Sequence, residues 1–277
     1  MVDTVIRWHQ RGYGVLAAMA LVTCLAGISG CATTGGSVGE VGGAEVVTPS
    51  DEPDARRRAR IRLELAVNYF ETGKVAVALD EVKQALVNDP TYADAYNLRG
   101  LIYMRLNDMA LAEESFRRAL GIRSSDPNVM HNYGWLLCQQ QKYAEADRYF
   151  SQALANTMYT ARSKTFMAQG LCQARAGQNQ QAEQTLLRAY ELDAGNPVVG
   201  YNLAELLMRR GELTRAQFYI RRINNSDLAN AESLWLGVKI ERSLGDSVAM
   251  RQLAEQLRKR FPESRELAAY ERGAFNE

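Results

Sequence analysis

The chain has 277 residues, 47% hydrophobic and 23% charged, with 33 Lys and Arg against 32 Asp and Glu and a net charge of +1. That balance lacks the basic excess a nucleic-acid binder needs and fits an ordinary soluble domain with ample length for an extended core. The sequence has no His, Cys, Asp and Glu cluster at metal-ligand spacing, no glycine-rich phosphate loop and no nucleophile motif, so it points away from catalysis, metal, cofactor and small-molecule substrate.

In chain order, residues 1–30 carry Arg7 and Arg11, a mostly apolar run from Val15 to Ile28, and then small residues. This is the layout of a secretory signal and is too short for a spanning helix. It ends on Ile28-Ser29-Gly30-Cys31, which looks like a bacterial lipobox. Cleavage before Cys31 and acylation of its thiol and new amino group are expected, which makes Cys31 the lipid-attachment residue. The competing reading is an ordinary signal with an incidental cysteine. Ala32 stands where an aspartate would, by resemblance to enterobacterial lipoproteins, suggest retention at the inner membrane. The expected location is therefore the periplasmic face of the outer membrane, lipid-anchored. More than one acyl chain on one residue holds stably, at about 0.8 kcal/mol per buried CH2.

Residues 31–50 are mostly Gly, Ser, Thr and Val and read as a flexible tether, which as a random coil spans roughly 25 Å. Ser50-Asp51-Glu52-Pro53 supplies a cap, first-turn acids and a proline suited to a first helical position, so a helix is expected to begin here. Arg56, Arg57, Arg58, Arg60 and Arg62 follow. They either attract anionic head groups or an acidic partner, or form a solvated face.

From Ala59 onward one pattern recurs. First positions at Ala59, Ala93, Pro127, Ser163, Pro197 and Ala231 give intervals of 34, 34, 36, 34 and 34 residues. A small residue recurs in the first half of each unit, at Ala66, Gly100, Gly134, Gly170 and Ala204, with Val238 departing. Another opens the second half, at Ala78, Ala112, Ala146, Ala182 and Ala216, with Met250 departing. A large-then-small pair follows as Val82/Ala85, Phe116/Ala119, Phe150/Ala153 and Leu186/Ala189, becomes Ile220/Ile223, and inverts to Ala254/Leu257. Small residues where two helices cross, with large ones around the crossing, make a close-packed helical hairpin.

These spacings resemble the tetratricopeptide repeat. The resemblance implies an all-α superhelix of six helix-turn-helix repeats over residues 51–264, with a short capping helix in residues 265–277. Leu267 and Tyr270 on one helix face suit that cap.

Cys138 and Cys172 fall on the first helices of consecutive repeats, in an export compartment where disulfides form. A bridge is geometrically feasible, and the other reading is two separate buried thiols. In this family the concave face is lined by positions two, five, nine, twelve and thirteen of each first helix. On that assignment the partner-binding groove comprises Leu63, Val67, Phe70, Asn97, Leu101, Met104, His131, Trp135, Met167 and Leu171. It is expected to be apolar in repeats one to four and more polar in five and six, and to bind a peptide. Chaperone-type carboxylate clamps need Lys and Asn at positions five and nine, a pattern absent here.

The lipobox, short tether, six repeats, the His131–Gln139 stretch HNYGWLLCQ and the Gly170–Cys172 GLC resemble the PilF/PilW family of type IV pilus biogenesis lipoproteins. That resemblance implies a non-enzymatic pilotin, partnered by subunits of the outer-membrane secretin, which helps them reach the outer membrane and multimerise. Two alternatives are a repeat lipoprotein of the outer-membrane β-barrel assembly machinery and a structural tether for cell-wall enzymes.

Overall fold

The computed structural model describes residues 51–275, so the signal, the tether and Cys31 lie outside the described residues. These residues form thirteen helices: α1 (Asp54–Glu71), α2 (Val75–Asn88), α3 (Ala93–Arg105), α4 (Met109–Ile122), α5 (Pro127–Gln139), α6 (Tyr143–Ala155), α7 (Arg162–Arg175), α8 (Asn179–Leu192), α9 (Pro197–Arg209), α10 (Leu213–Asn224), α11 (Ala231–Leu244), α12 (Ser247–Arg260) and α13 (Arg265–Glu271). The first twelve pair as six hairpins. Each second helix also packs on the first helix of the next hairpin, and α13 closes the row. The hairpins keep the expected frame, with small differences at two starts. Helix α1 begins at Asp54 with Pro53 in the cap position rather than inside the helix, and α7 begins one residue before Ser163.

Local chemistry explains where the helices start and turn. Asp126 and Asn196 each accept hydrogen bonds from the next two free helix N–H groups, and each precedes a proline at the first helical position. Every hairpin turns through one residue in the left-handed region. Gly73, Gly177, Gly211 and Gly245 take it at φ of 77–78°, where the lack of a Cβ removes the clash. Asn107 and Gln141 take it in hairpins two and three at 60° and 62°.

The crossings show why small residues recur. A Cβ on Gly100 would lie 2.5 Å from the Phe116 ring, one on Gly134 3.0 Å from Phe150, and one on Gly170 2.7 Å from Leu186. Phe116, Phe150 and Leu186 are fully buried. Each such side chain contributes about 2–3 kcal/mol by leaving water. In hairpin six, where Val238 breaks the pattern, the close approach moves back one residue on both helices. A Cβ on Gly237 would meet Leu253 at 3.0 Å and the Asn224 amide at 2.6 Å. Val238 and Ala254 are still buried, as a larger residue and a smaller one in exchanged places.

The two ends differ. Among the described residues no hairpin precedes helix α1, and Ile61 and Leu65 are 49% and 42% exposed. At the other end α13 buries Leu267, and the chain then turns back so that the Phe275 ring lies 5.3 Å from Trp235, with Tyr270 at 6.5 Å. The arginines near the N-terminal end are engaged within the chain. Arg56 pairs with Asp89, Arg60 with Glu52 and Glu64, and Arg62 with Glu81, while Arg58 donates to Asn88. These partners favour the solvated-face reading over a surface reserved for head groups.

Candidate functional site

The first helices lie side by side, α1 against α3, α3 against α5, α5 against α7 and α9 against α11, and together they build the face that is concave in this architecture. Of the ten residues expected to line it, the structure keeps eight at least partly open. Val67 is exposed, while Phe70, Asn97, Leu101, Met104, Trp135, Met167 and Leu171 are half-buried. Leu101, Met104 and Trp135 rest one side on the central core, and Phe70 rests on the core of the first hairpin. The Arg105 guanidinium lies 5.8 Å from the Phe70 ring, and that of Arg175 lies 4.9 Å from Trp135. The apolar floor is therefore edged by cations. Asn97 accepts a hydrogen bond from Asn132 at 3.0 Å, tying α3 to α5 below the groove surface.

Leu63 and His131 are corrections. Both are buried, at 8% and 6% exposed, in the seam between successive first helices, whereas Asn97 and Met167 at the same position of their repeats stay half-buried. Leu63 joins Ala59, Ala66 and Ile102 in the first core cluster. The His131 Nδ1 lies 2.8 Å from Thr165 Oγ1 on α7, and that hydroxyl lies 2.8 Å from the Tyr159 hydroxyl. Tyr159 belongs to the six-residue connection between α6 and α7, where the 36-residue interval falls. The chain of three polar groups thus fastens the longer connection to the joint between hairpins three and four. A disulfide between Cys138 on α5 and Cys172 on α7 crosses the same joint, with Cα atoms 5.8 Å apart.

Burial, and secondarily the charge of Lys164, lowers the His131 pKa to about 3. The unfolded chain would bind its proton near pH 6.5, well before the folded one does, so stability is complete above about pH 6.5 and declines as pH falls toward 3. Between pH 7.5 and 5.0 this predicts a loss of about 2 kcal/mol. His131→Gln should flatten that stretch of a stability-versus-pH curve measured by urea unfolding. An unchanged slope in the variant would place the responsible group elsewhere.

Other polar ties between hairpins were not foreseen from the sequence. Gln169 and Gln173, at core positions of α7, both donate to Asp147 of α6, at 2.9 and 2.8 Å. Glu241, 1% exposed, accepts from Gln217 and from Arg221, each at 2.7 Å. Glu113 gathers Arg117, Lys142, Gln140 and the Tyr133 hydroxyl. Burial pushes the Glu113 carboxyl up, but the hydrogen bonds from Gln140 and Lys142 and the nearby charges outweigh it, leaving the carboxyl below its usual range. Among the described residues no group of three or more His, Cys, Asp and Glu could hold a metal ion, and no helix is long and apolar enough to cross a membrane.

A row of helical hairpins with an apolar lateral groove defines a scaffold of the tetratricopeptide-repeat class. Family models described as "Tetratricopeptide repeat" match residues 63–127 and 134–197, and a second model of the same description matches 173–235. The chain is similar to the "Type IV pilus assembly protein PilF" of Pseudomonas aeruginosa, with 28% identity over 254 residues covering 91% of this chain and 97% of that one. Among solved structures it is similar to PilW, described as a widely conserved type IV pilus biogenesis factor, with 32% identity, a TM-score of 0.72 and coverage of 76% of this chain and 97% of that one. It is also similar to the structure of Pseudomonas aeruginosa PilF, with 26% identity, a TM-score of 0.72 and coverage of 80% and 100%. The chain belongs to the tetratricopeptide-repeat family of type IV pilus biogenesis proteins that includes PilF and PilW.

Proposed function

We propose that the protein is a non-enzymatic outer-membrane lipoprotein that captures secretin subunits and promotes their localisation and multimerisation during type IV pilus biogenesis. The observation that carries this reading is the match to PilF along nearly the whole of both chains. Two features support it. The groove is apolar where a peptide segment would lie, and the Ile28–Cys31 tetrapeptide would anchor the protein beside its client. Confinement to a membrane surface raises effective concentration, so a groove of modest affinity can still collect many subunits.

Deleting the gene is expected to leave secretin monomers present while heat-resistant multimers, surface pili and twitching motility are lost. Cys31→Ser should yield a protein that still binds subunits but no longer localises their assembly to the outer membrane. Membrane fractionation followed by immunoblotting of unheated samples reads both outcomes. Normal outer-membrane multimers in the deletion strain would refute the proposal, and a general loss of β-barrel proteins would point to the barrel-assembly machinery instead.

A further inference from the structure

The third and tenth positions of a first helix face the second helix of the hairpin before it. From hairpin two onward the third position is Ala95, Val129, Thr165, Val199 and Ser233, and the tenth is Ile102, Leu136, Cys172, Leu206 and Ile240. All ten are buried. Ala95 and Ile102 share a cluster with Ala78, Val82 and Ala85 of α2, and Val129 and Leu136 share one with Ala112, Phe116 and Ala119 of α4. The seventh position joins this stripe, with the Tyr133 ring 6.1 Å from that of Phe116 and Leu203 in the cluster of Leu186. In α1 the same three positions are Ile61, Leu65 and Asn68, and all three are open. A terminal hairpin needs a polar outer face to stay soluble, yet two of these three residues are large and apolar.

The chain enters α1 across this stripe. The Glu52 carboxylate accepts hydrogen bonds from Arg60 at 3.1 and 3.3 Å, and the Glu52 backbone carbonyl accepts one from Arg57 at 3.3 Å. Arg57 stands one helical turn before Ile61, and Arg60 stands beside it. The sequence before Asp51 reads Glu45-Val46-Val47-Thr48-Pro49-Ser50. We propose that this segment folds back along α1 and lays the Val46-Val47 pair over Ile61 and Leu65, so that the chain closes its own N-terminal end as α13 closes the other. The lengths agree, since five extended residues before Asp51 reach about 17 Å and α1 rises about 16 Å from Asp54 to Leu65.

The small size of the patch selects its occupant. Two half-open side chains offer too little area to offset the lost freedom of a separate molecule. A segment already joined to α1 has only a short loop to close, and Pro49 restricts that loop in advance. A second copy stacked end to end would present α13, which packs on both α11 and α12, in place of an open hairpin. Docking leaves residues 31–45 as the tether, and the tether then departs beside the middle of α1 rather than from its first turn. The inference does not depend on the reading of the groove as the partner site.

Hydrogen exchange of the full-length protein tests it. The double variant Val46→Ser, Val47→Ser is expected to speed exchange of the α1 amides about tenfold and to leave α9 unchanged. Ile61→Ser, Leu65→Ser should do the same, and in that background the valine substitutions should add less than about twofold. Val46→Ile, Val47→Leu should keep the wild-type rate. The valines precede every described helix, so their substitution reads docking without altering α1 itself. An α1 rate unmoved by the valine substitutions would overturn the inference, as would valine and α1 effects that simply multiply. Two further results would give the face to another occupant and overturn it as well. One is a wild-type dimer in sedimentation that Ile61→Ser, Leu65→Ser splits into monomers. The other is binding of the Cys31→Ser chain to phospholipid vesicles that the same double change removes.

Discussion

Replacing both Cys138 and Cys172 with alanine is expected to lower the free energy of unfolding by about 3–4 kcal/mol, because the bridge closes a 34-residue separation and restricts the unfolded chain accordingly. Both side chains are 2% exposed, so the loss of packing adds to the loss of the bond. The effect should be centred on the joint between hairpins three and four. There the connection is two residues longer than between hairpins one and two, and the His131–Thr165–Tyr159 chain and the Gln169 and Gln173 bonds to Asp147 remain as polar ties across it. Urea unfolding of the double variant measures the total. Hydrogen exchange should show faster opening of α5 and α7 than of α1 or α9. Two freely alkylated thiols in the native protein, or a change under about 0.5 kcal/mol, would contradict the expectation.

If the proposed function holds, Leu101→Glu is expected to weaken the proposed secretin capture by about 2 kcal/mol or more, roughly thirtyfold, since a central apolar residue of a binding groove carries a disproportionate share of the affinity. Leu101 lies one side on the central core and one side to solvent, so a glutamate can turn its carboxylate outward. The cost to stability should then stay near about 1 kcal/mol, far below that of a carboxylate trapped in an interior. Trp135→Glu should behave similarly for binding but cost more stability, because the indole also stacks under Arg175. Ile61→Glu, on the outer face of α1, serves as a control with normal binding. A wild-type affinity for Leu101→Glu, or collapse of its fold, would count against the assignment of this face.

The repeat frame was readable because a helix crossing imposes a size rule on particular residues, and glycine opposite phenylalanine or leucine leaves a spacing that a sequence displays. Hairpin six was harder to read. Its close approach passes through Gly237 and Leu253, so the size rule was met one residue away from where Val238 seemed to break it. The groove was legible to a coarser degree. Position five shares a helical stripe with the open positions, and periodicity alone does not say that Leu63 and His131 turn into the seam between helices. Gln169, Gln173 and Glu241 were opaque for another reason. A polar residue at a core position is satisfied by a partner on a neighbouring hairpin, and that partner is only known once the hairpins are stacked.

The unlike ends of the row bear on self-association. Head-to-tail growth of a solenoid into a filament needs a terminal hairpin that offers the next copy the same packing face its own neighbour offers it. At the C-terminal end that face is occupied by α13, with Leu267 buried against it and Phe275 folded onto Trp235. At the other end of the described residues Ile61 and Leu65 are open. The cap at α13 thus removes one of the two faces that such end-to-end stacking would need.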